Sequence, residues 1–314
     1  MAGVVAISGG IGGAKLALGL YRVLPAHGLS VIVNCGDDFD HLGLRICPDL
    51  DTTLYTLAGI ANLELGWGRR DETWAFMETL AELGGPTWFR LGDRDLALHV
   101  ERTQRLAAGQ SLSAFIADVA QRLAIQAAII PMSDEPVRTR VHTSDGELAF
   151  QDYFVRLRCA PELTALSFQG AAAARPAAAA AAALGARPEA IILCPSNPYL
   201  SVDPILAVPG MRALLKAAGA PVIAVSPLVG GQAVKGPTAK IMRELGVPLT
   251  PAAIARHYAG LIDGIVVDTR DAAAVGEIDC HVKVTDTLMN SLADRERLAR
   301  EVLTLASALG GGRR

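Results

Sequence analysis

A glycine-rich turn close to the start of the chain sets the strongest constraint on the fold. The segment VVAISGGIGGAKLALGL, residues 4–20, passes from a short apolar run through a bare turn into a stretch with helical spacing of its leucines. Strand, glycine turn and helix form the βα unit that brings backbone N–H groups and a helix N-terminus up to an anion. We therefore expect the turn to surround a phosphate, with Lys15 beside it. The glycines of the turn are Gly9, Gly10, Gly12 and Gly13.

The turn matches neither of the standard phosphate-binding fingerprints. A dinucleotide loop has the pattern G-x-G-x-x-G, and Lys15 stands where its third glycine would be. A P-loop ends in G-K-[ST], but Ala14 separates Gly13 from Lys15 and Leu16 replaces the hydroxyl residue. The alternative is a tight βα turn in which glycine serves packing alone. We favour phosphate binding because four glycines exceed what a turn requires.

Further apolar runs repeat the strand–loop–helix pattern along the chain. The segments LSVIV, IILC, PVIAV and DGIVVD each lead into a polar loop. Continuous runs of Val and Ile, without alternation, are typical of parallel strands that are covered on both faces. The sequence therefore predicts a doubly wound α/β fold with a mainly parallel sheet, whose ligands bind beyond the carboxyl ends of the strands.

The middle of the chain departs from this pattern. Residues 65–165 contain two helical stretches, TWAFMETLAELG and SLSAFIADVAQRLAI, and an alternating segment around Asp145-Gly146 that predicts a two-residue hairpin. We expect a mainly helical insertion with one β-hairpin, packed on the α/β core. The chain then forms a single α/β domain over residues 1–314, with the insertion at about 65–165.

Charge and cysteine content argue against several function classes. A net charge of −3 gives no reason to expect nucleic acid or an anionic membrane as a partner. Five scattered cysteines without a C-x-x-C pair argue against a disulfide framework or structural zinc. The apolar runs are shorter than the ~20 residues of a membrane span, and the first is too short for a signal peptide. We therefore expect a cytoplasmic protein.

The densest acidic segment follows the second predicted strand. Asp37 and Asp38 would lie at the same sheet edge as the glycine turn, where carboxylates beside a bound phosphate commonly hold Mg²⁺. Asp51 precedes the helical stretch TTLYTLAG, so it is either a helix N-cap or a carboxylate with a metal or substrate role. The segment could also be a capped, solvated loop. The six histidines show no metal-ligand spacing, and we expect His99 to be a core or surface residue.

Two later loops supply polar groups for the same edge. Ser196 and Asn197, in CPSNPY, suit a ribose, a base edge or a phosphate, although the same residues also make ordinary turns. A second glycine-rich loop, SPLVGGQAVKGPTAK, carries Lys235 and Lys240 as basic partners. Two such loops are compatible with a diphosphate-containing ligand held from two sides. Arg90 lies in RLGDRD, where an exposed ion-pair cluster is the simpler interpretation.

Seven short motifs, in order, resemble the 2-phospho-L-lactate transferase family of coenzyme F(420) biosynthesis. They lie within residues 8–237 and are SGGIGGAKL, NCGDDF, CPDLDTTLY, LGDRDLA, PMSDEPVRT, CPSNP and SPLVGGQAVKGP. The resemblance implies a Rossmann-like, homodimeric, Mg²⁺-dependent enzyme. It also implies transfer of a phospholactyl-type group (2-phospholactyl, phosphoenolpyruvyl or 3-phosphoglyceryl) from a guanylyl diphosphate donor to 7,8-didemethyl-8-hydroxy-5-deazariboflavin, with release of GMP.

By position, the resemblance assigns Asp51 and Arg90 to the deazaflavin acceptor. It assigns Asp37 and Asp38 to the acidic pair of the family. Attack of a ribityl hydroxyl on a diphosphate requires charge neutralisation, which the glycine N–H groups, Lys15 and Mg²⁺ would supply. Asp51 would orient or deprotonate the hydroxyl.

Two other classes stay open from the sequence. A non-catalytic nucleotide-sugar-binding regulator of the same superfamily fold has a similar glycine loop and acidic segment, but it has no need for the acceptor pair Asp51 and Arg90. An NAD(P)-dependent oxidoreductase is disfavoured because the second strand ends in Asn34 rather than in an acidic residue. The motifs do not decide among the three donors.

Overall fold

The computed structural model describes residues 3–64, 67–234 and 236–311. Its strands, in chain order, are β1 Val4–Ser8, β2 Leu29–Val33, β3 Phe39–His41, β4 Leu44–Ile46, β5 Ala128–Pro131, β6 Arg138–Thr143, β7 Gly146–Ala149, β8 Leu163–Gln169, β9 Ala190–Leu193, β10 Val222–Val225, β11 Leu228–Val229, β12 Gln232–Ala233, β13 Gly264–Asp268 and β14 His281–Thr285. Its α-helices are α1 Gly10–Val23, α2 Pro48–Leu57, α3 Ala75–Glu82, α4 Asp93–Ala107, α5 Leu112–Arg122, α6 Ala178–Gly185, α7 Asp203–Ala207, α8 Met211–Ala217, α9 Thr238–Glu244, α10 Pro251–His257 and α11 Leu292–Gly310.

A parallel sheet of seven strands organises the molecule. The strand order is β14-β13-β10-β9-β1-β2-β5, and each neighbouring pair is parallel. From β1 the chain continues outward through β2 to β5, and it returns to the other side of β1 with β9. The order therefore reverses between β1 and β9, which is the switch point at which doubly wound folds bind ligands. The predicted α/β fold with a mainly parallel sheet is confirmed.

Helices flank the sheet, and its central strands are fully covered. Every residue of β1, β9, β10 and β13 is buried, as the continuous Val and Ile runs predict. Helix α1 packs against α2 and α11, while α6 packs against α8. A smaller apolar cluster around Ile46, Met77 and Leu91 lies under α3 and α4. Within the described ranges, no helix combines the length and apolarity needed to cross a membrane.

The range predicted as an insertion, residues 65–165, is divided by a strand of the main sheet. It contains α3, α4 and α5 as expected, but β5 pairs with β2 and forms the sheet edge. The run AIIP is only four residues long and follows a helix closely, so its apolar character alone does not identify a strand. The insertion therefore consists of a helical part before β5 and a β part after it.

The predicted hairpin is present, with its turn one residue earlier than expected. Thr143 pairs with Gly146, so Ser144 and Asp145 form the two-residue loop. Gly146 starts β7 with φ +123°, a conformation that favours glycine. Strand β8 pairs with the other edge of β6, which makes a three-stranded antiparallel sheet in the order β7-β6-β8.

Candidate active site

A cavity of about 640 Å³ opens at the carboxyl edge of the parallel sheet. Residues that follow four of the strands line it: Gly10 after β1, Ser196 after β9, Ser226 after β10 and Thr287 after β14. Residues of α2 and α4 line it from another side. The cavity therefore lies where the strand ends converge next to the β1–β9 switch point.

The N-terminus of α1 borders this cavity. Helix α1 starts at Gly10, which has φ +64°, and Gly9 is its N-cap. The Gly9 N–H donates to Ser196 Oγ at 3.1 Å, and the Gly10 N–H donates to Asp49 Oδ1 at 2.8 Å. Ser196 and Asp49 thus take up two of the first N–H groups, which have no carbonyl partner within the helix. This end of α1 presents its positive dipole and the N–H groups after Gly10 to an anion.

Close packing explains three of the four glycines of the turn. A Cβ atom on Gly12 would lie 2.6 Å from the carbonyl oxygen of Pro195, and one on Gly13 would lie 2.5 Å from Ser196 Oγ. A Cβ atom on Gly9 would lie 2.6 Å from Ser201 Cβ. Gly9, Gly10 and Gly12 line the cavity, whereas Gly13 is not among the described lining residues. Packing alone accounts for glycine at position 13, and at Gly9 and Gly12 packing and cavity exposure coincide. Phosphate binding by the turn stays a prediction.

Asp49 ties the end of β2 to the glycine turn. Besides the Gly10 N–H, it accepts a hydrogen bond from Asn34 Nδ2 at 2.9 Å, and Asn34 Oδ1 accepts from the Gly36 N–H at 2.8 Å. Burial raises the pKa of Asp49 to about 6, against the opposing effect of Asn34 and Gly10. The sequence indicates only that Asn34 argues against a dinucleotide site. It does not predict the hydrogen bond from Asn34 to Asp49.

Asp51 points from α2 to a buried arginine on α4. Helix α2 begins at Pro48 with Cys47 as its N-cap, so the N-cap interpretation of Asp51 is wrong. The Asp51 carboxylate forms an ion pair with Arg102, whose side chain is 0% exposed. Arg102 Nη1 donates to Asp51 Oδ2 at 3.2 Å, and a second bond joins Nη2 to Oδ1. Burial raises the pKa of Asp51, while Arg102 and then His99 oppose the rise.

His99 lies between two carboxylates in the wall of the cavity. Its Nδ1 is 3.7 Å from Asp51 Oδ2, and its Nε2 is 3.3 Å from Asp95 Oδ2. The Tyr55 hydroxyl donates to the other oxygen of Asp95. Burial alone would raise the pKa of Asp95, but His99 and Tyr55 outweigh burial and hold this pKa below its usual value. Of the two environments expected for His99, core or surface, the structure shows the core. The cluster was not predicted, although Asp95, His99 and Arg102 share one helix face.

The adjacent carboxylates Asp37 and Asp38 face different cavities. Asp37 lines the main cavity, and its buried Oδ1 has no hydrogen-bond partner among the described residues. Burial and then Asp49 raise the pKa of Asp37 well above its usual range. Asp38 lines a second cavity of about 240 Å³ together with Arg45 and Arg138. Burial raises the pKa of Asp38 to about 7, with Arg138 opposing. The structure thus brings only Asp37 to the main cavity.

The polar residues after β9 both make a turn and border the cavity. Ser196 Oγ donates to the Gly9 carbonyl oxygen at 2.8 Å. Asn197 Oδ1 caps the following turn by accepting from the N–H groups of Tyr199 and Leu200. Its Nδ2 is buried and, in the part of the chain described, has no partner. Asn197 therefore keeps an amide donor available next to the glycine turn.

Of the three basic residues predicted for the site, two line the cavity and the third lies outside the described residues. Lys15 lines the cavity, and its Nζ donates to the Met289 carbonyl oxygen at 3.0 Å. Arg90 also lines the cavity, and its Cζ lies 4.0 Å from the centroid of the Trp74 ring. Lys235 lies outside the described residues, although the neighbouring Gly236 lines the cavity.

Aromatic side chains form a part of the cavity that the sequence did not suggest. Trp88 and Phe89 line it beside Arg90, with ring centroids 5.7 Å apart. Phe150 and Phe154 also line it, stacked at 5.3 Å with an interplanar angle of 12°. Such faces suit planar, partly apolar ligands. The sequence did not predict this part of the cavity because the four aromatic residues follow no regular spacing along the chain.

These features define a class of protein: a doubly wound α/β enzyme scaffold with an anion-binding helix end and an aromatic wall in one cavity. Residues 4–306 match the family model described as 2-phospho-L-lactate transferase CofD. The chain belongs to this family. It is therefore a transferase of a phosphorus-containing group in coenzyme F(420) biosynthesis. The predicted family is confirmed, and with it an enzyme that transfers a phosphoryl-type group, in place of the regulator and oxidoreductase alternatives.

Similar proteins support the same grouping. The chain is 44% identical over 312 residues to a phosphoenolpyruvate transferase of Streptomyces griseus, covering 96% of this chain and 98% of that protein. It is 39% identical over 316 residues to one of Nocardia farcinica, covering 96% and 94%. A crystal structure of a UPF0052 family member from Bacillus halodurans shares the fold, with a TM-score of 0.63, 14% identity and coverage of 96% and 98%.

Proposed function

We propose that the protein transfers a phosphoenolpyruvyl group from a guanylyl diphosphate donor to 7,8-didemethyl-8-hydroxy-5-deazariboflavin and releases GMP. The 2-phospholactyl and 3-phosphoglyceryl groups are the other donor candidates. The relatives at 39–44% identity are named phosphoenolpyruvate transferases, which favours the first donor. One observation carries the proposal: a single cavity joins the anion-binding end of α1 to an aromatic wall, with the Asp51 carboxylate also in its lining.

The donor's diphosphate fits the side of the cavity formed by the glycine turn. The end of α1 offers N–H groups and a dipole to the phosphates. Lys15 and the buried Nδ2 of Asn197 add a charge and a donor. Transfer of a phosphoryl group depends on positioning and on neutralising charge at the phosphate oxygens, and these groups supply both.

The acceptor's tricyclic ring fits the aromatic side. Trp88 and Phe89 offer apolar faces, and Arg90 next to them offers hydrogen-bond donors. With the ring there, the ribityl chain would extend toward Asp51. Asp51 would accept the hydrogen bond of the attacking hydroxyl and orient it.

Mg²⁺ fits Asp37 better than it fits the other acidic groups. Mg²⁺ prefers oxygen ligands, keeps several waters and takes one or two protein carboxylates. The buried, unpartnered Oδ1 of Asp37 supplies such a ligand in the main cavity. Asp51, Asp95 and His99 also have ligand atoms within 4.8 Å of one another, but the guanidinium of Arg102 already neutralises Asp51. We therefore propose that Asp37 holds Mg²⁺, which would neutralise donor phosphate charge.

We further propose a homodimer in the cytoplasm, on the family resemblance alone. Light scattering of the purified protein tests the homodimer, and fractionation of producing cells tests the location. A mass equal to one chain at micromolar concentration would overturn the homodimer.

Mass spectrometry of product formed from each synthetic donor tests the proposed activity. The protein is incubated with the deazaflavin, Mg²⁺ and one donor at a time, and GMP is measured in parallel. We expect equal amounts of GMP and of the phosphoenolpyruvyl adduct, and no adduct with an acceptor that lacks the terminal hydroxyl. A protein that binds donor and deazaflavin but forms no adduct with any donor would contradict the proposal.

A further inference from the structure

The guanidinium of Arg90 lies at the cavity with one face already occupied. Its Cζ is 4.0 Å from the centroid of the Trp74 ring, a distance at which an indole face attracts a cation. Arg90 is exposed and lines the cavity, whereas Trp74 is half-buried and is not among the described lining residues. Within the described chain, Arg90 forms no hydrogen bond and no ion pair. The Trp74 ring is therefore the group that holds this side chain.

A helix cap keeps Trp74 close to Arg90. Trp74 is the N-cap of α3, and Asp93 is the first residue of α4, shortly after Arg90. The Asp93 carboxylate accepts hydrogen bonds from the N–H groups of Ala75 and Phe76, at 3.0 Å each. These N–H groups belong to the first turn of α3 and have no carbonyl partner within that helix. The start of α3, with Trp74, is thus tied to the start of α4.

The small apolar cluster of Ile46, Met77 and Leu91 anchors both partners. Trp74 packs against this cluster, and Leu91, the residue after Arg90, belongs to it. Leu91 is 1% exposed, so the backbone next to Arg90 has little freedom to move away from the ring. The indole and the guanidinium therefore keep their relative position without a charged partner.

Stacking on an indole leaves the hydrogen-bond donors of Arg90 free. All N–H groups of a guanidinium lie in its plane, whereas the contact with Trp74 uses one face. The donors and the second face therefore remain for a ligand in the cavity. A planar ring with carbonyl oxygens along one edge, such as the pyrimidinedione edge of a deazaflavin, matches donors that lie in one plane. Holding the side chain in advance also lowers the entropy that it loses when the ligand binds.

We propose that Trp74 is a positioning residue for the acceptor and that it acts through Arg90. The indole holds the guanidinium in place before the deazaflavin binds, so that the in-plane donors of Arg90 meet the oxygens at the edge of the ring. The inference rests on the proposed function, which places the deazaflavin beside Arg90. Trp74 then contributes to acceptor binding although it lies outside the described lining of the cavity.

The kinetic test compares variants of Trp74 with and without an aromatic ring. Trp74→Leu and Trp74→Met keep apolar packing on the cluster but remove the ring, whereas Trp74→Phe keeps a ring face. The ringless variants should raise the acceptor KM about 5- to 30-fold, the range for a cation–π contact that ligand binding removes from water. The donor KM and kcat should stay within about twofold of the parental values, because the contact contributes to binding of the acceptor alone. Trp74→Phe should keep the acceptor KM within about threefold. Phe76→Leu is the control on the same helix and should keep all three constants, since Phe76 is exposed and outside the described lining.

A double variant separates positioning through Arg90 from a general loss of structure. When Trp74→Leu is added to Arg90→Ala, the acceptor KM should stay within about twofold of that of Arg90→Ala, because the contact is already absent. Titration of deazaflavin fluorescence gives the same comparison as dissociation constants, without turnover. A parent that binds the deazaflavin but forms no adduct would contradict the proposed function, and the dissociation constants would still decide this inference. An unchanged acceptor affinity in folded Trp74→Leu, or an equal loss of affinity with and without Arg90, would overturn the inference.

Discussion

Asp51 of α2 and Arg102 of α4 form a buried ion pair that joins two helices lining the cavity. Asp51 is 5% exposed and Arg102 is 0% exposed. Arg102 also donates from Nη1 to the Arg45 carbonyl oxygen at 3.1 Å. The pair fixes the position of the carboxylate that would face the proposed acceptor. It also buries two charged groups away from water. Such a pair is sensitive to the loss of one partner, because the other charge is then left buried and uncompensated.

Arg102→Met should therefore destabilise the fold by about 3–5 kcal/mol, the range for breaking a buried pair from one side. Urea unfolding followed by circular dichroism measures the loss. Arg105→Met is the matched control on the same helix, since its pair with Asp118 is about one-quarter exposed on each side. The control should lose at most about 1 kcal/mol. Equal losses in both variants would show that the buried Asp51–Arg102 pair contributes no more to the free energy of unfolding than the partly exposed pair does.

Arg90→Ala should weaken binding of the deazaflavin rather than of the donor. Arg90 lies at the aromatic side of the cavity, over Trp74, and hydrogen bonds from a charged group contribute about 1.5–3 kcal/mol. We expect the acceptor KM to rise about 10- to 100-fold, while the donor KM stays close to the parental value. Arg94→Ala is the control, because Arg94 is exposed and outside the described lining. Steady-state kinetics with each substrate varied in turn decides; a larger rise in the donor KM would place the acceptor elsewhere.

The strand ends and the glycine turn could be predicted from the sequence because they follow from local patterns. Buried parallel strands read as continuous apolar runs, and a strand end followed by glycine or by small polar residues marks the ligand edge. Gly10, Ser196 and Asn197 were found in this way, and the structure places them on one cavity. The strand β5 was missed because four apolar residues have no period of their own.

The pairs that give the cavity its chemistry could not be predicted in the same way. Arg102 and Asp51 are far apart in the chain, and no local pattern indicates that α4 packs its 95–99–102 face against α2. Asp37 and Asp38 are adjacent residues in one turn, and the backbone conformation of that turn directs their side chains to different cavities. Burial and partner geometry, rather than residue type, decide these roles.

Asp37→Asn should raise the Mg²⁺ concentration needed for half-maximal activity by about tenfold or more. A tenfold rise corresponds to a loss of about 1.4 kcal/mol in the free energy of metal binding. The amide oxygen keeps the shape but lacks the charge that attracts a divalent cation. Asp38→Asn is the neighbouring control and should titrate like the parent, because Asp38 faces the second cavity. A normal Mg²⁺ requirement in Asp37→Asn would move the metal away from this carboxylate.

Asp38 should make the fold less stable as the pH rises toward neutrality. Burial raises its pKa in the folded chain to about 7, against about 3.9 when unfolded. Between these values the folded state holds a proton that the unfolded state has released, so the free energy of unfolding falls with increasing pH and levels off above about 7. Three pKa units correspond to at most about 4 kcal/mol.

Asp38→Asn removes this ionisation, and we expect the variant to be more stable than the parent at pH 8 and to lose less stability than the parent from pH 6 to 8; Asp37, whose pKa burial also raises, keeps its part of the slope in both proteins. Asp49, whose pKa burial raises to about 6, keeps a slope below that window in both proteins. Asp40→Asn is the control, since Asp40 is exposed and should leave the parental slope in place. Urea unfolding at pH 6, 7 and 8 measures all three proteins. A parent whose stability is flat over this window would mean that Asp38 is already ionised in the folded chain.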